Sequence, residues 1–249
     1  MGTVDDGATT IFWQEEPGVL SKPDSKEDLG YCMFFRDVDG DGWKDLYCKT
    51  HKQRVYWGSA EGVVWSDFTV LPDADDSGDY IRDAAPRDLD HDGLLDLVIS
   101  RWETYSELGE NMVYRNLGNR KFEDVSVLWG LNTPGTTFAV QFIDYNLDGV
   151  VDLLVQNDGD TIAANTNHAL RNRGPGEGGE PSFERVSYMP YGCDFLGIFA
   201  CCSGPMGGVI ADVNGDLKPD LMLALSLINT FLSPDEDGRW AYPRQSMQL

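Results

Sequence analysis

The chain has 249 residues, of which 41% are hydrophobic, so it can bury a substantial core in one or two domains. Its 42 acidic and 19 basic residues give a net charge of −23, which argues against nucleic acid as a partner because phosphate contacts need a basic surface. The longest apolar stretch, residues 221–232, is too short to span a membrane, and the first residues lack the basic and apolar segments of a signal peptide.

Five segments along the chain share a pattern that is typical of β-hairpins. Each has a short apolar or aromatic run, then a turn that contains glycine, then a second run with an aromatic residue. The segments are residues 11–18, 55–65, 113–122, 169–183 and 230–240. We therefore predict a hairpin at each of these places.

A second pattern, which we call the Asp-rich loop, occurs four times between these hairpins. It spans residues 37–45, 88–96, 144–152 and 212–220, and Asp or Asn occupies its positions 1, 3, 5 and 9 in every copy. Glycine at position 6 permits a sharp turn in the first three copies, whereas the fourth has Leu217 there and Pro219 at position 8. Short apolar runs precede and follow each loop, so we expect each loop to join two β-strands.

The oxygen-bearing side chains of the Asp-rich loops indicate metal sites. Ca²⁺ takes six to eight oxygen ligands, and a tight loop turns alternate side chains and main-chain carbonyls inward. Asp, Asn and Gly also form ordinary turns, but four copies with the same oxygen positions favour a metal. An EF-hand is ruled out, because position 12 is Cys, Ile, Val or Leu where an EF-hand needs a bidentate Glu. The predicted ligands of up to four Ca²⁺ ions are Asp37, Asp39, Asp41, Trp43 and Asp45; Asp88, Asp90, Asp92, Leu94 and Asp96; Asp144, Asn146, Asp148, Val150 and Asp152; and Asp212, Asn214, Asp216, Lys218 and Asp220.

The two patterns recur in phase, which predicts a repeat protein. The first Asp residues of successive loops are 51, 56 and 68 residues apart. One unit comprises a hairpin, a connection, a strand, the Asp-rich loop and another strand, and four strands per unit are typical of a β-propeller blade. We predict an all-β fold, with residues 1–249 forming one partial β-propeller domain of about four whole repeats and part of a fifth. The approximate repeat limits are residues 10–54, 55–112, 113–168, 169–228 and 229–249.

The connections between these elements vary most and are candidates for a binding face. They are residues 72–87, 101–111, 157–168 and 187–208, and in repeat folds such segments often gather on one side. Any one of them is equally well read as an ordinary solvated connection. Aromatic side chains expected at the surface would suit a carbohydrate ligand; these are Trp57, Trp65, Trp102 and Trp129.

Five cysteines bear on the compartment in which the protein works. Cys32 and Cys48 flank the first Asp-rich loop on strands that should be neighbours, so a cross-strand disulfide is one interpretation. Cys193 and Cys201 bracket a short loop and are a second candidate pair, beside Cys202. Buried free thiols are the alternative for all five. The cysteine content favours an oxidising compartment.

Catalytic motifs are absent from the sequence. The three histidines do not form a His-Glu-X-X-His set, and His91, at position 4 of the second loop, is expected to point outward. No Gly-X-Ser-X-Gly elbow or phosphate-binding glycine loop occurs. We therefore predict that the protein is not an enzyme.

Together these patterns resemble the FG-GAP/VCBS repeat superfamily, whose blades build integrin α-chain head domains and many secreted propellers. Residues 113–158, with Asp144 to Asp152 at their centre, are similar to the ASPIC/UnbV and cartilage-acidic-protein-like branch. The resemblance covers residues 11–240 and implies a propeller fold, Ca²⁺ in each Asp-rich loop, and adhesion or protein-interaction roles outside the cytosol.

The resemblance also leaves alternatives open. Integrin-like propellers have seven blades, so either the chain is a fragment, or other blades have lost the Asp-rich loop, or a partner chain completes the ring. An open ring would expose strand edges that invite association. Beside a protein-interaction, adhesion or scaffold module, a carbohydrate-binding lectin and a polysaccharide lyase or hydrolase on the same scaffold are the alternative functions.

Overall fold

The structure is a computed structural model, and it describes thirteen ranges of the chain. These are residues 9–11, 14–16, 19–20, 24–26, 30–49, 52–72, 80–102, 109–157, 168–175, 180–186, 205–225, 230–234 and 240–241. Every regular element in these ranges is a β-strand, which confirms the predicted all-β fold class. Among the described residues there is no helix long and apolar enough to cross a membrane.

The strands are short, and most carry the alternating or apolar residues expected from the sequence. In chain order they are β1 Thr9–Ile11, β2 Gln14–Glu16, β3 Val19–Leu20, β4 Asp24–Lys26, β5 Tyr31–Arg36, β6 Asp45–Lys49, β7 Gln53–Ser59, β8 Gly62–Val70, β9 Tyr80–Arg87, β10 Asp96–Trp102, β11 Gly109–Glu110, β12 Met112–Asn116, β13 Phe122–Asp124, β14 Pro134–Gly135, β15 Thr137–Ile143, β16 Asp152–Asn157, β17 His168–Pro175, β18 Pro181–Val186, β19 Pro205–Ala211, β20 Asp220–Leu225, β21 Thr230–Pro234 and β22 Trp240–Ala241.

Sixteen of these strands form four antiparallel sheets of four strands each. Sheet I is β5-β6-β7-β8, sheet II is β9-β10-β12-β13, sheet III is β15-β16-β17-β18 and sheet IV is β19-β20-β21-β22. In each sheet the Asp-rich loop joins the first two strands, and a predicted hairpin supplies the last two. A four-stranded antiparallel meander of this kind is the blade of a β-propeller. A sheet therefore takes its strands from two successive predicted repeats.

All four sheets use the same register around the Asp-rich loop. Position 9 is the first residue of the second strand and pairs with the last residue of the first strand. The pairs are Arg36 with Asp45, Arg87 with Asp96, Ile143 with Asp152 and Ala211 with Asp220. Residues counted from position 9 are thus structurally equivalent in every sheet.

The apolar run after each loop becomes the buried second strand. All five residues of β6 and all six of β16 are buried, as are the first five of β10. Sheets II and III share a cluster that includes Val98, Val113, Val140 and Leu153. Sheets III and IV share a second cluster of Ile143, Leu154, Ala169 and Leu221. Apolar burial of this kind is the main favourable term in folding.

The chain divides into two compact units. The first comprises residues 1–78 and the tip of the β12–β13 hairpin, residues 116–123. The second comprises residues 79–115 and 124–249. Sheet I lies in the first unit, and sheets III and IV lie in the second.

Two expectations from the sequence need correction. Three expected connections, residues 72–87, 101–111 and 187–208, are shorter than predicted. Strand β9 begins at Tyr80, β10 extends to Trp102 and β11 comprises Gly109–Glu110, and β19 begins at Pro205. Trp57 and Trp129 are not surface aromatics, since each is only 1% exposed. Burial is compatible with their polar Nε1 atoms because Trp57 donates to Thr69 Oγ1 at 3.2 Å and Trp129 donates to Glu180 Oε2 at 2.9 Å.

The described cysteines form one disulfide, between Cys32 of β5 and Cys48 of β6. The cross-strand interpretation of these two residues is therefore confirmed. The second candidate pair, Cys193 and Cys201, lies outside the described residues together with Cys202.

Candidate metal centres in the Asp-rich loops

The four loops have one backbone conformation, although their sequences differ at the turning positions. Position 6 has a positive φ in each: Gly42 at 94°, Gly93 at 92°, Gly149 at 85° and Leu217 at 65°. Position 4 does as well: Gly40 at 77°, His91 at 62°, Leu147 at 58° and Gly215 at 78°. Sequence reasoning anticipated the turn at position 6 and missed the one at position 4, where glycine in the first and fourth loops was the available signal. His91 is exposed, as expected.

Backbone N–H groups of the loop anchor the oxygens at positions 1, 3 and 5. The N–H of position 6 donates to position 1, the N–H of position 5 donates to position 3, and the N–H of position 7 donates to position 5. In the first loop these bonds are Gly42 to Asp37 at 2.9 Å, Asp41 to Asp39 at 3.2 Å and Trp43 to Asp41 at 2.8 Å. The other three loops repeat all three bonds at 2.8–3.2 Å. The fourth loop keeps them despite Leu217 and Pro219.

The Asp at position 9 is the buried base of each loop. Its Oδ2 accepts the N–H of position 2, at 2.7 Å from Val38 to Asp45 and 2.8 Å from Val213 to Asp220. In sheets I and III its Oδ1 also accepts an N–H from the third strand, Gly58 for Asp45 and Asn172 for Asp152, at 2.8 Å each. Through position 9, these hydrogen bonds connect the beginning of the loop to the second and third strands of the sheet.

Burial perturbs the protonation of these carboxyl groups. It raises the pKa of Asp152 to about 6, against the effect of the hydrogen bonds from Asn172 and Tyr145. Burial likewise raises the pKa of Asp45, and nearby Asp39 adds to the rise. A cation beside these oxygens would reverse both effects by favouring the charged form.

In the first two loops the structure brings three carboxylates together. Oxygens of Asp37, Asp39 and Asp45 lie within 4.8 Å of one another, and so do those of Asp88, Asp90 and Asp96. Positions 1, 3 and 9 thus converge, whereas position 5 is not part of either three-carboxylate group among the described residues. The carbonyls of Trp43, Leu94, Val150 and Lys218 stay a prediction as ligands.

In the third and fourth loops position 3 is an amide, and its nitrogen faces position 5. Asn146 Nδ2 donates to Asp148 Oδ2 at 2.9 Å, and Asn214 Nδ2 donates to Asp216 Oδ2 at 3.2 Å. The amide oxygen accepts the N–H of position 5 in both loops. Each of these two loops therefore has one carboxylate fewer than each of the first two, which should weaken cation binding.

The donor set fits a hard divalent cation. Every converging group is a carboxylate oxygen, which is the ligand type that Ca²⁺ and Mg²⁺ prefer. In the second loop Oδ2 of Asp88 accepts the N–H of Gly93, while the buried Oδ1 has no hydrogen-bond partner among the described residues. A buried anionic oxygen without a donor is costly, and a cation would satisfy it.

Arginines stand beside three of the loops, a feature that sequence reasoning missed. Arg115 pairs with Asp90 at 2.7 Å, Arg120 pairs with Asp39 at 2.8 Å and Arg171 approaches Asp148 at 3.5 Å. Arg115 and Arg171 occupy equivalent positions of the third strand, and that recurrence in the hairpin pattern was the available signal. Burial disfavours the charged form of Asp148, but hydrogen bonds from Val150, Asn146 and Arg171 hold its pKa below the usual value.

Comparison with known proteins gives a match to a family model and similarity to solved structures. The family model of the FG-GAP-like repeat matches residues 37–99 and again residues 88–155. Each match begins at the first Asp of a loop and ends in the second strand of the following sheet. No curated protein matches the sequence significantly.

Among solved structures, the Tc holotoxin pore of Photorhabdus luminescens is similar at 19% identity with a TM-score of 0.40. The match covers 95% of this chain and 10% of the toxin chain, so the chain spans about a tenth of the length of that relative.

Proposed function

The chain is an FG-GAP/VCBS repeat protein, and from that premise we propose that it is a Ca²⁺-binding interaction module of the adhesion or scaffold kind. The observation that carries the proposal is the convergence of three carboxylates in each of the first two Asp-rich loops. Loops that bind a cation hold their sheets rigid, and rigid sheets can present connecting segments to a partner.

The residues that would hold Ca²⁺ are those at positions 1, 3 and 9 of each loop, with positions 5 and 7 completing the set. When bound, Ca²⁺ supplies positive charge that offsets the clustered carboxylates. The chain itself contributes the anchoring of those carboxylates by loop N–H groups, and the attachment of position 9 to two strands. The role is therefore structural: the ion would join the first and second strands of one sheet at the loop.

The proposed location is outside the cytosol, as an ectodomain, a secreted protein or a protein of the secretory pathway. The Cys32–Cys48 disulfide supports this, because disulfides persist in oxidising compartments. Extracellular Ca²⁺ modules bind with dissociation constants of about 10⁻⁴–10⁻³ M, so such sites fill outside the cell.

A non-catalytic role agrees with the family, whose repeats generally serve as interaction modules. The lectin alternative loses support because Trp57 and Trp129, two of the four aromatics that motivated it, lie in the core. The partner we propose is consequently a protein surface, with other blades or chains completing the propeller.

The test is calorimetric titration of metal-free protein with Ca²⁺, paired with thermal unfolding in Ca²⁺ and in chelator. At a free Ca²⁺ concentration ten times the dissociation constant, each occupied site should add about 1.4 kcal/mol to the free energy of unfolding. Asp88→Asn should remove one site from the stoichiometry and reduce the Ca²⁺-dependent rise in melting temperature. Glu123→Gln removes an exposed acid outside the loops and is the matched control.

Two outcomes would count against the proposal. One is an unchanged melting temperature after thorough chelation, together with no heat of Ca²⁺ binding. The other is an equal loss of Ca²⁺ binding in Asp88→Asn and Glu123→Gln, since that would assign the effect to net charge and not to the loop.

A further inference from the structure

One arginine connects the second Asp-rich loop to the next sheet. Arg115, in the third strand of sheet II, places Nη2 at 2.7 Å from Oδ2 of Asp90 and at 3.9 Å from Oδ2 of Asp92. Its other terminal nitrogen, Nη1, donates to Oε1 of Glu180 at 2.8 Å. Glu180 directly precedes β18 of sheet III. A single guanidinium is therefore shared between a predicted metal ligand and an acid of the neighbouring sheet.

Glu180 is held in place by the core that the two sheets share. Its second oxygen, Oε2, accepts the Nε1–H of Trp129 at 2.9 Å. Trp129 is buried in the cluster common to sheets II and III, and its carbonyl accepts the N–H of Phe183 in β18 at 3.0 Å. Because both oxygens of Glu180 have a donor, its carboxylate has a defined position beside Arg115.

The contact between Arg115 and Asp90 is incomplete. The side chain of Asp90 is only 2% exposed, and its Oδ1 accepts the N–H of Asp92 at 3.2 Å. Its Oδ2 makes no hydrogen bond to a described residue although Nη2 is close, and Nε of Arg115 is likewise buried without a partner in that part of the chain. The attraction is therefore one between charges without an aligned hydrogen bond, so a small cation could replace it.

Sheet III shows only part of this arrangement. Arg171 is equivalent to Arg115, but position 3 of the third loop is Asn146, and Arg171 lies 3.5 Å from Asp148 at position 5. Asp148 is the one acid that forms an ion pair with Arg171 among the described residues. The full arrangement thus accompanies a loop in which three carboxylates converge.

We propose that Arg115 competes with Ca²⁺ for Asp90 and that Glu180 sets the strength of this competition. The inference rests on the proposed function, since it concerns the second of the proposed Ca²⁺ sites. Asp90 converges with Asp88 and Asp96, so a cation bound among their oxygens would repel the guanidinium. Glu180 offers the displaced charge a second, fixed anion. Without metal Arg115 neutralises Asp90, and with Ca²⁺ it pairs with Glu180 alone.

This competition couples the second loop to sheet III. Energetic coupling between two sites is reciprocal, so the amount by which Glu180 favours Ca²⁺ binding equals the amount by which Ca²⁺ favours the pair of Glu180 and Arg115. A bound ion should therefore strengthen the contact between the sheets at this point. A purely structural arginine would behave in the opposite way, because its loss would loosen the loop and weaken Ca²⁺ binding.

The experiment is a calorimetric Ca²⁺ titration of the metal-free full chain and its variants. Arg115→Gln should raise the affinity of the second loop roughly threefold to tenfold, because it removes the competing charge. Glu180→Gln should lower that affinity by about twofold to fivefold, because Arg115 then pairs with Asp90 alone, while the amide oxygen can still accept from Trp129. Lys121→Gln removes an exposed positive charge outside every described ion pair, so as the matched control it should change nothing.

Two double variants assign these effects to the proposed residues. In the Arg115→Gln background, Glu180→Gln should have no further effect, because the group on which Glu180 acts is gone. In the Asp88→Asn background, which disables the second loop, Arg115→Gln should leave the affinity of the remaining sites unchanged. Melting temperatures in chelator check that each variant is folded.

Three results would overturn the proposal. They are an unchanged or lower Ca²⁺ affinity in Arg115→Gln, an equal effect of Glu180→Gln with and without Arg115, and a gain that Lys121→Gln shares. If wild type binds no Ca²⁺, the proposed function fails on its own account. The inference about Arg115 then stands if Arg115→Gln binds Ca²⁺, and it falls if that variant binds none.

Discussion

Arg120 donates from Nε to Oδ2 of Asp39 at 2.8 Å, although 81 residues separate the two in sequence. The same guanidinium reaches Asp67 at 2.7 Å and lies 4.9 Å from the centroid of the Trp57 ring. In sheets II and III the arginine beside the loop belongs to the third strand of the same sheet, but sheet I has Trp57 at that position. The tip of the β12–β13 hairpin therefore supplies the positive charge that the third strand of sheet I lacks at this position.

Arg120→Gln should have two effects of opposite sign. It removes the charge that offsets Asp39 and Asp67, so in chelator the free energy of unfolding should fall by about 1 kcal/mol. It also removes a cation that competes for the same carboxylates, so the Ca²⁺ affinity of the first loop should rise roughly threefold to tenfold. Calorimetry and urea unfolding measure the two effects. Lys121→Gln, one residue away and outside every described ion pair, should change neither; equal changes in both variants would contradict the idea.

The geometry of the first loop also predicts which of its carboxylates contribute most to Ca²⁺ binding. Asp37 belongs to the group of three converging carboxylates, whereas Asp41 does not. Asp37→Asn should therefore weaken Ca²⁺ binding to the first loop by about tenfold or more, since a bound ion loses a full charge from a ligand. Asp41→Asn should weaken Ca²⁺ binding only about threefold, because it removes a nearby negative charge that is not a ligand. The comparison needs only a Ca²⁺ titration of each variant, and a larger loss for Asp41→Asn would show that position 5 moves into the site.

Position 6 of the third and fourth loops allows the cost of a positive φ to be compared between glycine and leucine. Leu217 has a φ of 65° and its side chain is 87% exposed, so Leu217→Gly should stabilise the protein by about 1 kcal/mol while losing little burial. Gly149 has a φ of 85°, and a Cβ added there would meet no atom within 4 Å, so Gly149→Ala should destabilise by a similar amount through φ alone. Chemical unfolding in chelator measures both, and changes of the same sign would refute the interpretation.

Much of this site could be predicted because the residues that determine it lie close together in the sequence. The oxygens at positions 1, 3, 5 and 9 and the apolar run after Asp45 or Asp152 lie within about a dozen residues, and a strand, a tight turn and a second strand follow directly from them. The disulfide between Cys32 and Cys48 follows from the same local pairing, since both flank one loop. Because the loop and the hairpin recur together along the sequence, the four-stranded sheets recur as well.

The parts that could not be predicted depend on contacts between distant segments. Nothing near Arg120 in sequence indicates that it faces Asp39, because the partner lies in another sheet. The burial of Trp129 depends on Glu180, which is 51 residues away and receives its Nε1–H. Trp57 is covered similarly by the Phe122 ring, stacked at a centroid distance of 6.4 Å. A large aromatic residue in a hairpin is compatible with either surface or core until its polar atom has a partner.

Asp152 should make the stability of the metal-free protein increase as the pH falls, whereas in Ca²⁺ a lower pH should weaken binding of the ion. Its folded-state pKa of about 6 lies above the unfolded value near 4, so without metal its contribution to stability is fully present below pH 4 and is lost as the pH rises through 6. Metal-free wild type should thus gain stability relative to Asp152→Asn as the pH falls from 7 to 4. Urea unfolding of both proteins in chelator measures the contribution of Asp152 alone.

In Ca²⁺ the proton competes with the ion for Asp152, so the Ca²⁺ affinity of the third loop should fall up to about tenfold per pH unit below pH 6. A difference in stability between the two proteins that does not vary with pH would place the pKa of Asp152 at its ordinary value and remove both effects.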